Sequence, residues 1–331
     1  MPSPILNWET HLDRRLKLRD LHILFTVVHW GSMAKGAAQL GMSQPAVSEA
    51  IASLEGALGV RLLDRNTRGV EPTIYARALL RRGAVIFDEL KQGFRDIEFL
   101  AHPTAGEIRI GAPESLMAGF VPAVIDQLSR HYPKVSVSVT AAQPGEQEFR
   151  ELRERSVDLL LGRLFKPVSD DEIAVDVLRQ DAFRVVAGAD SRWARSRKIT
   201  LPELMHEPWI SFPTNSVANS YLEEGFRVHG VEFPKPSVTT FSTQVRLHLL
   251  KTGRFLTILH DSVLAFNAEQ RSFKVLPINL FVRPMPIAIF SLKNRTVSPV
   301  VQLFIDQAHE IAKSLVNSPG RRTATPRPKA S

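Results

Sequence analysis

Residues 31–59 read GSMAKGAAQLGMSQPAVSEAIASLEGALG, and the way this stretch divides decides the fold of the N-terminal region. Upstream of it, Leu21, Leu24, Phe25 and Val28 recur at helical spacing until Gly31 and Ser32 end the pattern. A short alanine-rich helix is predicted from about Met33 to Leu40, with Ala37 and Ala38 small enough for neighbouring helices to approach closely. Gly41 and Met42 make a tight connection in which glycine supplies a backbone conformation other residues resist. Ser43 stands where an N-cap belongs, and Pro45 falls in the first turn, where its missing N–H costs nothing. Val47, Ile51, Leu54 and Leu58 then line one face of a third helix.

Two helices joined by a glycine-containing turn, the second opening Ser-Gln-Pro-Ala-Val-Ser, make a helix-turn-helix. Gln44, Ser48 and Glu49 fall on the outer face near its N-terminus, where such helices meet base edges in the major groove. Gly59 to Asp64 reads as a turn and a short strand, and 65–70 (Arg-Asn-Thr-Arg-Gly-Val) as a polar loop flanked by apolar strand residues. This is the pattern of a β-wing, with Arg65 and Arg68 placed to touch phosphate or the minor groove. Taken alone, the same residues equally describe a solvated hairpin. The candidate DNA-contacting set is Ser32, Ser43, Gln44, Pro45, Ser48, Glu49, Arg65 and Arg68. Within it, Ser43 reads first as a cap and Pro45 as a helix starter, leaving Gln44 and Ser48 as the stronger candidates for contact.

These residues also carry a family resemblance. Gly31-Ser32-Met33, Ala37-Ala38, the run from Ser43 to Ser48, Ile51, Leu54-Glu55, Leu58-Gly59, Leu62-Leu63, Arg65 and Pro72-Thr73 resemble the LysR-type regulators over roughly sixty residues in register. Members often carry Arg or Lys where this chain has Glu49, so a phosphate or guanine contact is in doubt there. A glutamate is suited to accept from a cytosine amino group instead. The resemblance implies an all-α winged helix-turn-helix, a linker helix and an α/β domain of two subdomains similar to periplasmic solute-binding proteins. It also implies a two-fold symmetric double-stranded DNA operator, pairing as a dimer or a dimer of dimers, and contact with RNA polymerase if the regulator activates.

From Thr73, an N-cap after Pro72, to about Leu100 no proline intervenes. Leu79, Ile86, Leu90, Phe94 and Ile97 form an apolar stripe among charged residues. A helix of this length has little surrounding protein to cover such a stripe, so a second copy is the natural partner; the other reading buries it on its own chain. The resemblance favours the dimer.

Beyond a hinge at 102–106, strands and helices alternate, which predicts an α/β domain with a largely parallel sheet. Strands are expected at 107–111, 135–140, 158–161, 183–187, 209–212, 238–241, 255–259 and 286–292. Helices are expected at 115–131, 146–156, 217–228, 243–252 and 297–316. The domains are therefore set at 1–73 (winged helix-turn-helix), 74–102 (linker) and 103–316 (regulatory), with a basic, disordered tail at 317–331. On the resemblance, the regulatory domain divides into subdomain I at 107–180 and 290–316 and subdomain II at 181–289, with crossings near Gln180 and Phe290. In such folds ligands sit at the carboxyl ends of strands, where helix N-termini offer free N–H groups. On the resemblance, the effector candidates are Ser115, Arg163, Phe212, Thr214, Asn215, Ser242 and Thr243. Ser115, Ser216 and Ser242 equally suit plain helix capping, and Arg163 equally suits an internal ion pair. A sugar and an organic acid both fit this set; a likeness to the galactose-binding-protein regulator branch keeps the sugar open. No other cofactor is expected.

The chain has 331 residues and a net charge of +8, and four of those charges (Arg321, Arg322, Arg327, Lys329) sit in a proline-containing tail without acids. With no cysteine, disulfides, zinc–thiolate sites and thiol nucleophiles are excluded. Apolar runs are broken by charges and Met1 to Leu12 lacks a signal pattern, so a cytoplasmic protein with no membrane partner is expected. Enzyme chemistry lacks a signature: no nucleophile elbow, phosphate loop or metal-spaced histidines appear, and His260-Asp261 reads as structural. The alternative is a solute-binding or sensor protein without a DNA-binding role.

Overall fold

The computed structural model describes residues 16–66, 69–102, 105–145, 147–266, 270–280 and 283–314. Arg68, the hinge residues Pro103 and Thr104, and the 317–331 tail lie outside them. The chain forms two compact units, Met1–Lys91 and Gln92–Ser331.

The first unit contains α1 (Leu18–Trp30), α2 (Met33–Leu40), α3 (Gln44–Leu58), β1 (Leu63–Asn66), β2 (Gly69–Pro72) and most of α4 (Ile74–Ala101). Leu24, Val27, Val47, Ile51 and Leu54 are fully buried in one core with Leu62 and Ala76. The close approach of α1 and α2 is made by Ala37 and Gly36, not by Ala38, which is exposed. A Cβ on Gly36 would stand 3.0 Å from the Val27 side chain and 3.1 Å from its Cα.

The wing is a tight antiparallel hairpin in which Arg65 pairs with Val70 and Asn66 with Gly69. Arg65 is thus a strand residue rather than a loop residue. The Val70 N–H donates to the Gly31 carbonyl at 3.0 Å, tying the wing to the end of α1. Gly69, at φ +138°, lies so close to that carbonyl that a Cβ would come within 2.5 Å of its oxygen. Gly69→Ala is therefore expected to destabilise this unit by about 1–3 kcal/mol. Urea unfolding followed by circular dichroism measures this, and an unchanged midpoint would contradict the packing described.

The second unit builds two five-stranded sheets from β3 (Ala105–Ala112), α5 (Glu114–Met117), α6 (Phe120–His131), β4 (Lys134–Ala141), α7 (Arg150–Arg153), β5 (Leu159–Arg163), β6 (Ile173–Asp181), β7 (Phe183–Gly188), β8 (Trp209–Ser211), α8 (Val217–Val228), β9 (Val238–Thr239), α9 (Thr243–Lys251), β10 (Leu256–His260), α10 (Asp261–Phe266), β11 (Phe273–Val275), β12 (Met285–Leu292) and α11 (Pro299–Ser314). The first sheet runs β4-β3-β5-β12-β6 and the second β11-β7-β10-β8-β9. Each is mixed rather than largely parallel. β4, β3 and β5 are parallel while β12 runs against both β5 and β6; β10, β8 and β9 are parallel while β7 runs against β10 and β11. The antiparallel strands include those that carry the chain between sheets, which removes the need for a helical crossover on each face.

β6 ends at Asp181 in the first sheet and β7 begins at Phe183 in the second, so the outward crossing is at Ala182, beside the expected Gln180. The return differs from expectation. All of β12 belongs to the first sheet, with Phe290 opposite Leu160 and Val175, so the chain has crossed back before Met285.

The helix expected at 115–131 is two helices, parted at Gly119, where the backbone passes so near Ser262 that a Cβ would stand 2.8 Å from its carbonyl oxygen. The helix expected at 146–156 is reduced to α7. Glu148, Phe149 and Arg155 all take positive φ, the Phe149 ring packs on Phe290 at 5.0 Å, and Arg153 pairs with Asp170 and Glu172. Tertiary contacts therefore override local helical preference in this loop.

Candidate functional site

In the first unit, α3 buries Val47, Ile51, Leu54 and Ala57 and turns Gln44, Pro45 and Glu49 to solvent, with Ser48 half-buried. The Ser43 hydroxyl accepts from the Ala46 N–H, and the Ser32 hydroxyl accepts from the Lys35 N–H, so both serines are helix caps. Among the described residues the side chains of Gln44, Ser48 and Glu49 make no hydrogen bond within the protein, which leaves an uncommitted polar strip at a helix N-terminus. Glu55 braces the other end of this arrangement: its Oε1 accepts from the Leu62 and Leu63 N–H groups at 2.7 and 3.2 Å, fastening α3 to the wing strand. The Arg68 expectation falls outside the described residues, and for Arg65 only the backbone position is described.

On α4, Ile86, Leu90, Phe94 and Ile97 are exposed as the stripe required, and Leu100 extends it. Phe94 is 71% exposed. Leu79 departs from the pattern, because it packs on the first unit's core.

In the second unit a small cleft of about 50 Å³ opens between the two sheets. One wall is Pro113, Glu114, Ser115, 143–145, Gly162, Arg163 and Phe165; the other is Phe212, Val217, Ala218, Phe241 and His260. Of the expected effector residues, Ser115, Arg163 and Phe212 line it. Thr214 and Asn215 are exposed outside its lining, Thr243 is buried, and Ser242 caps α9 by accepting from Val245. Glu114, His260 and the phenylalanines at 165 and 241 were missed by reasoning that looked for hydroxyls at helix N-termini.

Arg163 at the end of β5 is an internal ion pair. Its guanidinium meets Asp181 at 2.9 Å and donates to the hydroxyls of Ser115 (2.7 Å) and Ser262 (3.1 Å). Asp181, fully buried at the crossing, also accepts from the Ser262 N–H and hydroxyl. This cluster joins the two sheets where the chain passes from one to the other. Arg246 donates to the Thr240 and Ile258 carbonyls and lies over the Phe212 ring at 3.8 Å. Burial pushes its pKa down to about 9, so it stays charged at neutral pH. His260, expected to be merely structural, borders the cleft and stacks on Phe183 at 4.3 Å. Burial, reinforced by the charges of Arg163 and Arg246, holds its imidazole well below the ordinary range, so it is neutral.

At the opposite end of β5, Asp158 gathers three arginines. It accepts from the Arg109 backbone N–H at 2.8 Å and meets Arg109 at 2.7 Å, Arg295 at 2.8 Å and Arg95, on α4, at 3.4 Å. The five residues of β5 thus run from an anchor on the last turns of α4 to Arg163 in the cleft. Among the described residues no helix is long and apolar enough to cross a membrane, and no cluster of three or more His, Asp or Glu is arranged to hold a metal.

Comparison with known proteins gives the same division. Residues 18–77 match the model of the bacterial regulatory helix-turn-helix protein, lysR family, and residues 101–313 match that of the LysR substrate binding domain. The regulator GbpR of Azospirillum brasilense is 28% identical over 296 residues, 88% of this chain and 85% of that protein. TdcA of Escherichia coli K12 is 26% identical over 298 residues, 89% and 93% respectively. Among solved structures, CbnR, a LysR family transcriptional regulator, superposes with a TM-score of 0.61 at 19% identity, covering 90% of this chain and 99% of that one. A full-length OxyR variant from Pseudomonas aeruginosa gives 0.62 at 18% identity, covering 88% and 97%. At these identities the structures speak for the fold alone.

Proposed function

The chain belongs to the LysR family of bacterial helix-turn-helix transcription regulators, and from that premise we propose how its two units divide the work. It is a DNA-binding regulator with an effector-binding domain. Gln44, Ser48 and Glu49 read base edges in the major groove, Glu49 favouring a cytosine amino group. Ser32, Ser43 and Pro45 set the helix starts that aim them, and Arg65 and Arg68 bring the wing to the phosphate backbone. The observation that carries this reading is the free polar strip on a recognition helix whose opposite face is fully buried.

The stripe on α4 pairs with the same stripe of a second copy, giving a dimer, or a dimer of dimers, that matches a two-fold symmetric operator in the cytoplasm. A small organic effector enters the cleft between the sheets and favours one arrangement of the subdomains. RNA polymerase is the further partner if the regulator activates. Coupling between effector and DNA of about 1–3 kcal/mol is enough for a switch.

Phe94→Glu is expected to convert the dimer to monomer in sedimentation equilibrium and to weaken binding to a selected two-fold site by roughly tenfold or more, since about 1.4 kcal/mol suffices for each factor of ten. A variant that stays dimeric with unchanged affinity would remove α4 from the interface.

A further inference from the structure

The charges around the cleft are arranged in a way that bears on what the cleft admits. The N-terminus of α9, a nine-residue helix that starts two residues after Phe241 of the cleft lining, is where an anionic ligand would find free N–H groups and a positive dipole end. That position is already filled from within. Glu114, on the opposite wall, accepts at Oε1 from the Ser242 hydroxyl at 2.9 Å and from the Gln244 backbone N–H at 3.2 Å. The two guanidiniums that act on His260 are engaged as well: Arg163 by Asp181 and two serines, Arg246 by two backbone carbonyls and the Phe212 face. A second carboxylate entering here meets the charge of Glu114 and finds neither guanidinium without partners.

What the cleft does offer is apolar area and a buried polar group without a partner in the chain. Phe165, Phe212 and Phe241 supply aromatic surface. His260 is 3% exposed, and its Nε2 is buried with no hydrogen-bond partner. A buried polar atom without a partner is costly, which marks the ring as a group whose complement is supplied from outside the chain. A neutral imidazole carries one donor and one acceptor nitrogen, the same complement as a hydroxyl.

We propose that Glu114 is a specificity-determining residue: by filling the anion position of α9 it restricts the cleft to uncharged effectors, with a hydroxyl for His260 and a ring or apolar face for the phenylalanines. The proposal rests on the reading of the cleft as the effector site and narrows it.

The test uses the full-length protein at constant ionic strength, with titration calorimetry on the wild type, Glu114→Gln and, as a second replacement, Glu114→Ala. Inorganic phosphate is the first probe. The wild type is expected to show no saturable binding, while removing the Glu114 charge opens the α9 N-terminus and raises phosphate affinity at least tenfold. Equal phosphate binding by the wild type and both variants overturns the proposal. The second probe set is a library of alcohols matched with carboxylates of the same skeleton, including D-glucose with D-gluconate and benzyl alcohol with benzoate. The wild type is expected to take the neutral member of a bound pair at least tenfold more tightly, and Glu114→Gln to narrow that ratio. A carboxylate preferred by the wild type overturns the proposal but leaves the cleft as the effector site. No binding by any probe to any of the three proteins counts against both.

Discussion

Asp158→Ala is expected to destabilise the regulatory unit by about 3–5 kcal/mol, because it removes the buried carboxylate on which Arg95, Arg109 and Arg295 converge. The Asp158 side chain is 2% exposed and that of Arg295 4%, so water does not replace what is lost. Burial alone would raise the Asp158 pKa, but hydrogen bonds from Arg109 and the charges of Arg109 and Arg295 outweigh it and hold the carboxyl below its ordinary value. The sign of the pH dependence follows. A carboxyl with a depressed folded-state pKa contributes stability that is full above its unfolded value, about 4, and is lost as pH falls through the folded value. The wild type should therefore exceed Asp158→Asn in stability at neutral pH, and the gap should close below about pH 4. Urea unfolding at a series of pH values measures both. A loss under about 1 kcal/mol at neutral pH, or a gap constant down to low pH, would mean the site is solvated.

Arg163→Met should cost a similar amount, about 3–5 kcal/mol, for the converse reason. Methionine fills much of the volume but leaves Asp181, fully buried, with only the Ser262 N–H and hydroxyl to compensate its charge. The double replacement Arg163→Met with Asp181→Leu should recover most of the loss, since an apolar pair of similar volume avoids the desolvation that the ion pair must offset. A double-mutant cycle by urea unfolding separates the cases. Additive losses would show that the two charges do not interact.

The helix-turn-helix was legible because local signals agreed with the tertiary structure. Ser32 and Ser43 cap the helices they precede, Pro45 sits in the first turn, and α2 spans Met33–Leu40 as its composition predicts. The regulatory domain was less legible where tertiary contacts decide. β6 went unread although Ile173, Val175 and Val177 alternate, and its valines face outward while its end delivers Asp181 to the crossing. The 146–156 segment has helical composition, but Phe149 and Arg153 hold it to the strands and loops around it. In the cleft, polar side chains ahead of a helix start pointed to Thr214 and Asn215, which lie outside its lining. Glu114 and His260 gain their places from residues more than a hundred positions away or from buried charges, which no local pattern encodes.

Everything proposed for this regulator requires sequence-specific DNA binding through α3. Genomic footprinting of the tagged chain in its own host, run beside Gln44→Ala, tests this directly. It should return a discrete set of two-fold symmetric sites for the wild type, and for Gln44→Ala the loss of those sites or a change in their preferred bases, at unaltered protein level. No enriched sites for the wild type, or an identical set for the variant, would contradict the reading of α3 as the helix that reads DNA.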